Sequence, residues 1–312
     1  MNSLSQILRS NFYHILLFLL TFFTTTLAGV QWLNKDSFEL SNFDMGLPYS
    51  LSLLAILAAH EFGHFFAARY YGVLTSLPYF IPIPPYLINP FGTMGAVIRI
   101  RSKIPSRKAL FDIGIAGPIA GFIITMTLLL YGLSTLPEKD YLYSIHPDYR
   151  SMVDIPQSGL TLGNSFLFST LPYLISPNQF LPPMNEIYHY PFLCVGWFGL
   201  FVTALNLIPI GQLDGGHILY AMVGGKYHRI FARIFFAALL LMGATSFLPI
   251  FGENIYIGTM GWLLLAIILF FIIKIDHPEI SDDELLSANR RFLGWTAFII
   301  FFLTFTPIPF SG

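Results

Sequence analysis

The sequence predicts an all-α, polytopic membrane protein with about six to seven transmembrane helices, and three observations predict it. Of 312 residues, 55% are hydrophobic and only 11% are charged, where a soluble domain carries about 25% charged residues. Seven apolar runs recur, near 11–30, 48–71, 109–135, 190–211, 229–250, 257–275 and 291–310, each close to the roughly 20 residues a helix needs to cross a bilayer. Lys and Arg gather in alternate connections between those runs, as expected of a chain that threads back and forth.

The first run follows Arg9 and continues through Phe22, Phe23 and Leu27 with no small-residue cleavage site, so it reads as a retained helix rather than a removed leader. The second run contains His60-Glu61-Phe62-Gly63-His64. The connection at 73–108 opens with Pro78, Pro82, Pro84 and Pro85, which favour extended chain. Gly92-Thr93-Met94-Gly95 then leads into Ala96-Val97-Ile98-Arg99-Ile100-Arg101, an alternation of apolar and basic residues that reads as a strand. The third run carries Gly117 and Gly121, a spacing that lets another helix approach closely, and Asp112 near its start.

The connection at 136–189 is of mixed charge, with several Tyr and Pro and no repeat, and has room for short helices. The fourth run is broken by Pro209 and Gly211 and ends in Gln212-Leu213-Asp214-Gly215-Gly216-His217. Pro307 and Pro309 interrupt the last run. With the N-terminus in the cytoplasm, thirteen basic residues (from Arg9, Arg69 and Arg99 through to Arg290 and Arg291) fall inside and three, Lys35, Lys139 and Arg150, fall outside. A net charge of −1 gives no reason to expect nucleic acid, and a single cysteine, Cys194, excludes an internal disulfide and a cysteine-based zinc site. Cys194 reads as a packing residue.

Ionisable residues within an apolar span are costly and mark function. On a helix, His60 and His64 lie one turn apart on one face and can direct two imidazoles at one metal ion, with Glu61 beside them to handle a proton of water. A catalytic zinc takes three protein ligands and keeps one open position, so a third ligand must come from elsewhere. The acidic residues within or at the ends of other spans are Asp112 and Asp214. Asp112, beside Arg107 and Lys108, reads as a helix cap or an ion-pair partner. Asp214 sits in a glycine-flanked break that reads either as an ordinary turn or as irregular backbone lining a buried cavity. His217 reads as a hydrogen-bonding neighbour rather than a ligand.

The pair of motifs, His60–His64 in one span and Asn206 with Leu213-Asp214-Gly215 in a later one, resembles the site-2 protease family of intramembrane zinc metalloproteases. The likeness extends to Gly92–Gly95 and to Ala116–Gly121, and covers roughly 48–225. It implies a three-helix metalloprotease core and a small re-entrant β element. It further implies one Zn²⁺ per chain held by His60, His64 and Asp214, Glu61 as general base, and Asn206, Gly92 and Gly95 as substrate-binding positions. The expected division is 1–47 (first transmembrane helix and outer loop), 48–225 (protease core, with the outer loop 136–189) and 226–312 (C-terminal transmembrane helices). The expected partners are membrane-protein substrates and the lipid bilayer. The expected location is the cell membrane, multi-pass, with the N-terminus and active-site opening on the cytoplasmic side. No PDZ insertion or tandem C-terminal regulatory domain is recognisable. Two other readings stand beside this one: a metal-binding membrane transporter, and a catalytically inactive membrane-protein binding partner.

Overall fold

The computed structural model describes residues 4–85, 90–251, 257–280 and 284–312; residues 86–89 of the 73–108 connection lie outside it. The fold is mostly helical. Helix α1 spans Leu4–Trp32, α2 spans Leu47–Tyr70, and α3 spans Arg107–Ser134. Between α2 and α3, strands β1 (Tyr79–Pro82) and β2 (Thr93–Val97) pair antiparallel, with Tyr79 opposite Val97 and Phe80 opposite Ala96. The segment between α3 and the next long helix folds into α4 (Lys139–Ile145), a short strand β3 (Thr161–Leu162) and α5 (Phe166–Ile175). Helix α6 (Pro191–Asn206), α7 (Asp214–Ala244), α8 (Gly261–Ile268) and α9 (Ala288–Thr304) follow, and β4 (Phe310–Ser311) returns to pair with β3. That second small sheet was not expected from the sequence, because two-residue strands leave no periodic pattern to read.

Among the described residues four stretches are long and apolar enough to cross a membrane: Phe12–Trp32, Leu40–Tyr70, Arg107–Ser134 and Asp214–Leu248. Helix α6 has 16 residues, fewer than a crossing needs. The expected run 190–211 is thus not one continuous span. Helix α6 stops at Asn206, an irregular turn follows, and Asp214 opens a new helix instead of ending the old one. Helix α7 is in turn kinked at Gly224, whose φ of 79° and ψ of 169° only glycine adopts without strain. The portion before the kink runs towards the start of α3, where the buried Arg107 guanidinium donates to the Ala221 carbonyl at 2.8 Å.

Helices α2, α3 and α6 form the centre. A side chain on Gly63 of α2 would collide with the Ala116 carbonyl of α3, 2.5 Å from the position of its Cβ. Gly199 of α6 fits against Thr125 of α3 and Ile56 of α2 in the same way. Asp112 does not cap α3: the cap is Ser106, whose side chain accepts from the Ala109 N–H at 3.1 Å. The ion-pair reading holds, with a distant partner. Asp112 takes two hydrogen bonds of 2.8 Å from Arg290, at the start of α9, and another from the Tyr71 hydroxyl. That partner lies 178 residues away, beyond the reach of local sequence reasoning. Cys194 is buried, as a packing residue would be.

Candidate metal centre

Helix α2 carries His60 ten residues before its last residue, Tyr70, hence about 15 Å from that end at 1.5 Å per residue. The one-turn spacing brings His60 Nε2 to 3.1 Å from His64 Nε2. Asp214, the first residue of α7, completes a triangle: its Oδ2 is 3.4 Å from His60 Nε2 and 3.3 Å from His64 Nε2. The break between α6 and α7 is what places a carboxylate at this depth. Helix α6 descends to the level of the histidines, the chain turns, and α7 starts there.

The triangle fits a zinc ion. Ligands about 2.0–2.2 Å from a tetrahedral ion stand roughly 3.3–3.5 Å from one another, close to the three separations here. The donor chemistry also fits. His64 Nδ1 lies 2.7 Å from the Ile113 carbonyl and must donate to it. That leaves Nε2 as the ligating nitrogen, the arrangement usual for metal-binding histidines. Two imidazoles and one carboxylate leave one tetrahedral position for water or substrate.

Glu61 is 7% exposed and lies beside His64 and Asp214 without joining the ligand set, with the backbone N–H of Ile98, just beyond β2, on its other side. Gly117 of α3 lies directly over His64; a Cβ there would stand 2.1 Å from Nε2. Gly121 sits against His60 in the same row. Asn206, the last residue of α6, brings its Nδ2 to 3.4 Å from His60 Nε2, so it borders the cluster. Gly92 lies against α1, where Thr24 Oγ1 donates to the Gly92 carbonyl at 2.7 Å. Gly95 has open space where a side chain would be. Its φ of 93° lies in the left-handed region that favours glycine. His217 does not join the triangle; its Nδ1 lies 2.8 Å from His277 Nε2.

The sequence did not single out Ile113 or place Ile98 beside Glu61, since each acts through its backbone. It gave no role to His146 or His189, which the structure brings together with Glu186 in a second cluster.

An H-E-x-x-H helix with a distant Asp closing a His-His-Asp triangle is an arrangement found in metallopeptidases. Comparison with known proteins agrees. The model of peptidase family M50, the site-2 protease family, matches residues 48–248, and the chain belongs to that family. It is 31% identical over 297 residues to "Probable zinc metalloprotease EGY2, chloroplastic" of Oryza sativa subsp. indica, covering 93% of this chain and 48% of that protein. It is 29% identical over 269 residues to "Probable zinc metalloprotease EGY1, chloroplastic" of Arabidopsis thaliana, covering 85% of this chain and 43% of that one. The chain thus spans about half the length of these relatives.

Proposed function

We propose that this chain is an intramembrane zinc metalloprotease that hydrolyses peptide bonds in or near the transmembrane segments of other membrane proteins. The observation that carries the reading is the His60, His64 and Asp214 triangle, with two of its ligands on a helix long and apolar enough to cross a membrane and the Glu61 carboxylate beside it. One zinc held there would polarise the scissile carbonyl and acidify the attacking water. Glu61 takes the proton from that water as it attacks and returns it to the leaving amine. The Ile98 N–H lies beside the Glu61 carboxylate. The family membership and the presence of all four site residues favour a working protease over a transporter or an inactive partner.

An intact helix shields its carbonyls by internal hydrogen bonds, so substrate must reach Glu61 as extended chain. In this reading β1 and β2 form a re-entrant element. Its Gly92 end packs on Thr24, within α1, and β2 runs from there towards Glu61. Strand β2 pairs with β1 on one side, and its other edge can add a substrate strand through main-chain hydrogen bonds. Gly92 and Gly95 shape that strand, and Asn206 engages substrate from the end of α6.

The broken rod from Pro191 to the kink at Gly224 counts as one crossing, which supports seven crossings in all. The Arg69 end of α2, the Arg107 end of α3 and Arg290 of α9 lie together, joined through Tyr71 and Asp112. Lys139 and Arg150 lie beyond the other end of α3. By the charge bias the first group faces the cytoplasm, and with it the site opening, in a cell membrane. This reading keeps the division into 1–47, 48–225 and 226–312, with the kink at Gly224 near the last boundary.

The test is Glu61→Gln in native membranes. The variant should retain zinc, lose cleavage by about 10²–10⁴-fold, and accumulate uncut membrane proteins bound to it. Cleavage within tenfold of the unaltered chain would reject the reading.

A further inference from the structure

A second cluster of ligand atoms lies in the segment between α3 and α6, away from the first. His146 follows α4, and Glu186 and His189 stand at either end of the short turn that leads into α6. His146 Nε2 is 2.9 Å from His189 Nε2 and 3.6 Å from Glu186 Oε2, and His189 Nε2 is 3.2 Å from that same oxygen. Each group is held from behind. His189 Nδ1 donates to the carbonyl of Trp32, the last residue of α1, which leaves Nε2 turned inward. Glu186 Oε1 accepts from the Tyr149 hydroxyl at 2.9 Å and from Asn185 Nδ2 at 3.1 Å. The His146 ring stacks on Tyr149 at 4.6 Å.

The inward carboxylate oxygen has no such satisfaction. Glu186 Oε2 is buried with no hydrogen-bond donor, and Glu186 and His189 are 2% and 3% exposed. A bare carboxylate oxygen in such a place is unfavourable. The two imidazole nitrogens, 2.9 Å apart, converge on that oxygen, and one cation between the three atoms would satisfy all of them. The donor set of two imidazoles and one carboxylate suits zinc, whereas calcium and magnesium favour all-oxygen shells.

We propose that His146, Glu186 and His189 hold a second divalent cation of the zinc class, which clips the segment between α3 and α6 onto the end of α1. The role is structural, because the ligands and the atoms behind them belong to separate parts of the chain that the ion would join; water would fill its fourth position. The side chain of His146, 23% exposed, is the way in.

Zinc content of the full chain purified in detergent tests this. The unaltered chain should hold two zinc ions. His60→Ala with Asp214→Ala should leave one, and His146→Ala with Glu186→Gln should leave the other. The latter pair should also speed proteolysis within 152–158 at least tenfold. A chain with one zinc that survives His146→Ala with Glu186→Gln overturns the proposal, and the cluster is then a proton-sharing histidine pair. A chain with one zinc that survives His60→Ala with Asp214→Ala but not the other pair supports it and rejects the first site instead. Should the 146/186 variant fail to fold, cobalt loading of the His60→Ala, Asp214→Ala chain decides. The visible bands of a tetrahedral nitrogen–oxygen site are expected, and their absence overturns the proposal.

Discussion

A methyl group on Gly117 would stand 2.1 Å from His64 Nε2, so the identity of that residue is set by a ligand on another helix. Gly117→Ala keeps helix propensity, indeed raises it by about 1 kcal/mol, yet must displace the imidazole. It should weaken zinc binding at least tenfold while α3 stays folded, read by competitive chelator titration alongside circular dichroism. Unchanged zinc affinity would mean that the α2–α3 packing gives way without moving His64. The residue scale is also where the sequence was most legible. His60, Glu61 and His64 are neighbours on one turn, so their spacing alone carries their geometry. Asp214 is separated from them by 150 residues and was legible only through its glycine-flanked break, which a common turn would share. His146, Glu186 and His189 were not legible, because no fixed spacing links a histidine after one short helix to a pair flanking a turn. Ile98 and Ile113 contribute backbone groups that any side chain would bring.

At the scale of elements, the long apolar helices followed from composition, and the boundaries that misled were those set by tertiary contacts. The break after Asn206 was visible in Pro209 and Gly211. That Asp214 begins a helix and that the next interruption falls at Gly224, close to the Ala221 carbonyl that Arg107 holds, was not visible in the sequence. The bidentate pair of Arg290 and Asp112, braced by Tyr71, ties α9 to α3. Both side chains remain about a quarter exposed, so solvent moderates the pair; Arg290→Met should cost about 1–2 kcal/mol, measured as a lowered thermal midpoint in detergent. Loss of less than about 0.3 kcal/mol would show the pair to be incidental. For β2, Ala96→Pro removes one main-chain donor from the strand without touching Ile98, which faces Glu61. Cleavage should fall several-fold with zinc content unchanged; full activity would make β2 a connection and not a substrate guide.

At the scale of the whole molecule, the account requires the Arg69, Arg107 and Arg290 end to face one side of the membrane and Arg150 the other. In a Cys194→Ser background, a cysteine at 150 should react only with reagent from the outer side, and one at 103 only from the cytoplasmic side. Reversed labelling would invert the protein and move the site opening with it. The central claim is narrower than topology: one zinc sits between His60, His64 and Asp214, and Glu61 moves protons without holding it. Anomalous scattering at the zinc absorption edge from crystals of the Glu61→Gln protein tests this most directly. The account predicts a peak about 2 Å from His60 Nε2, His64 Nε2 and Asp214 Oδ2. A zinc-replete crystal without that peak, with Asp214 bonded only to protonated histidines, would contradict it.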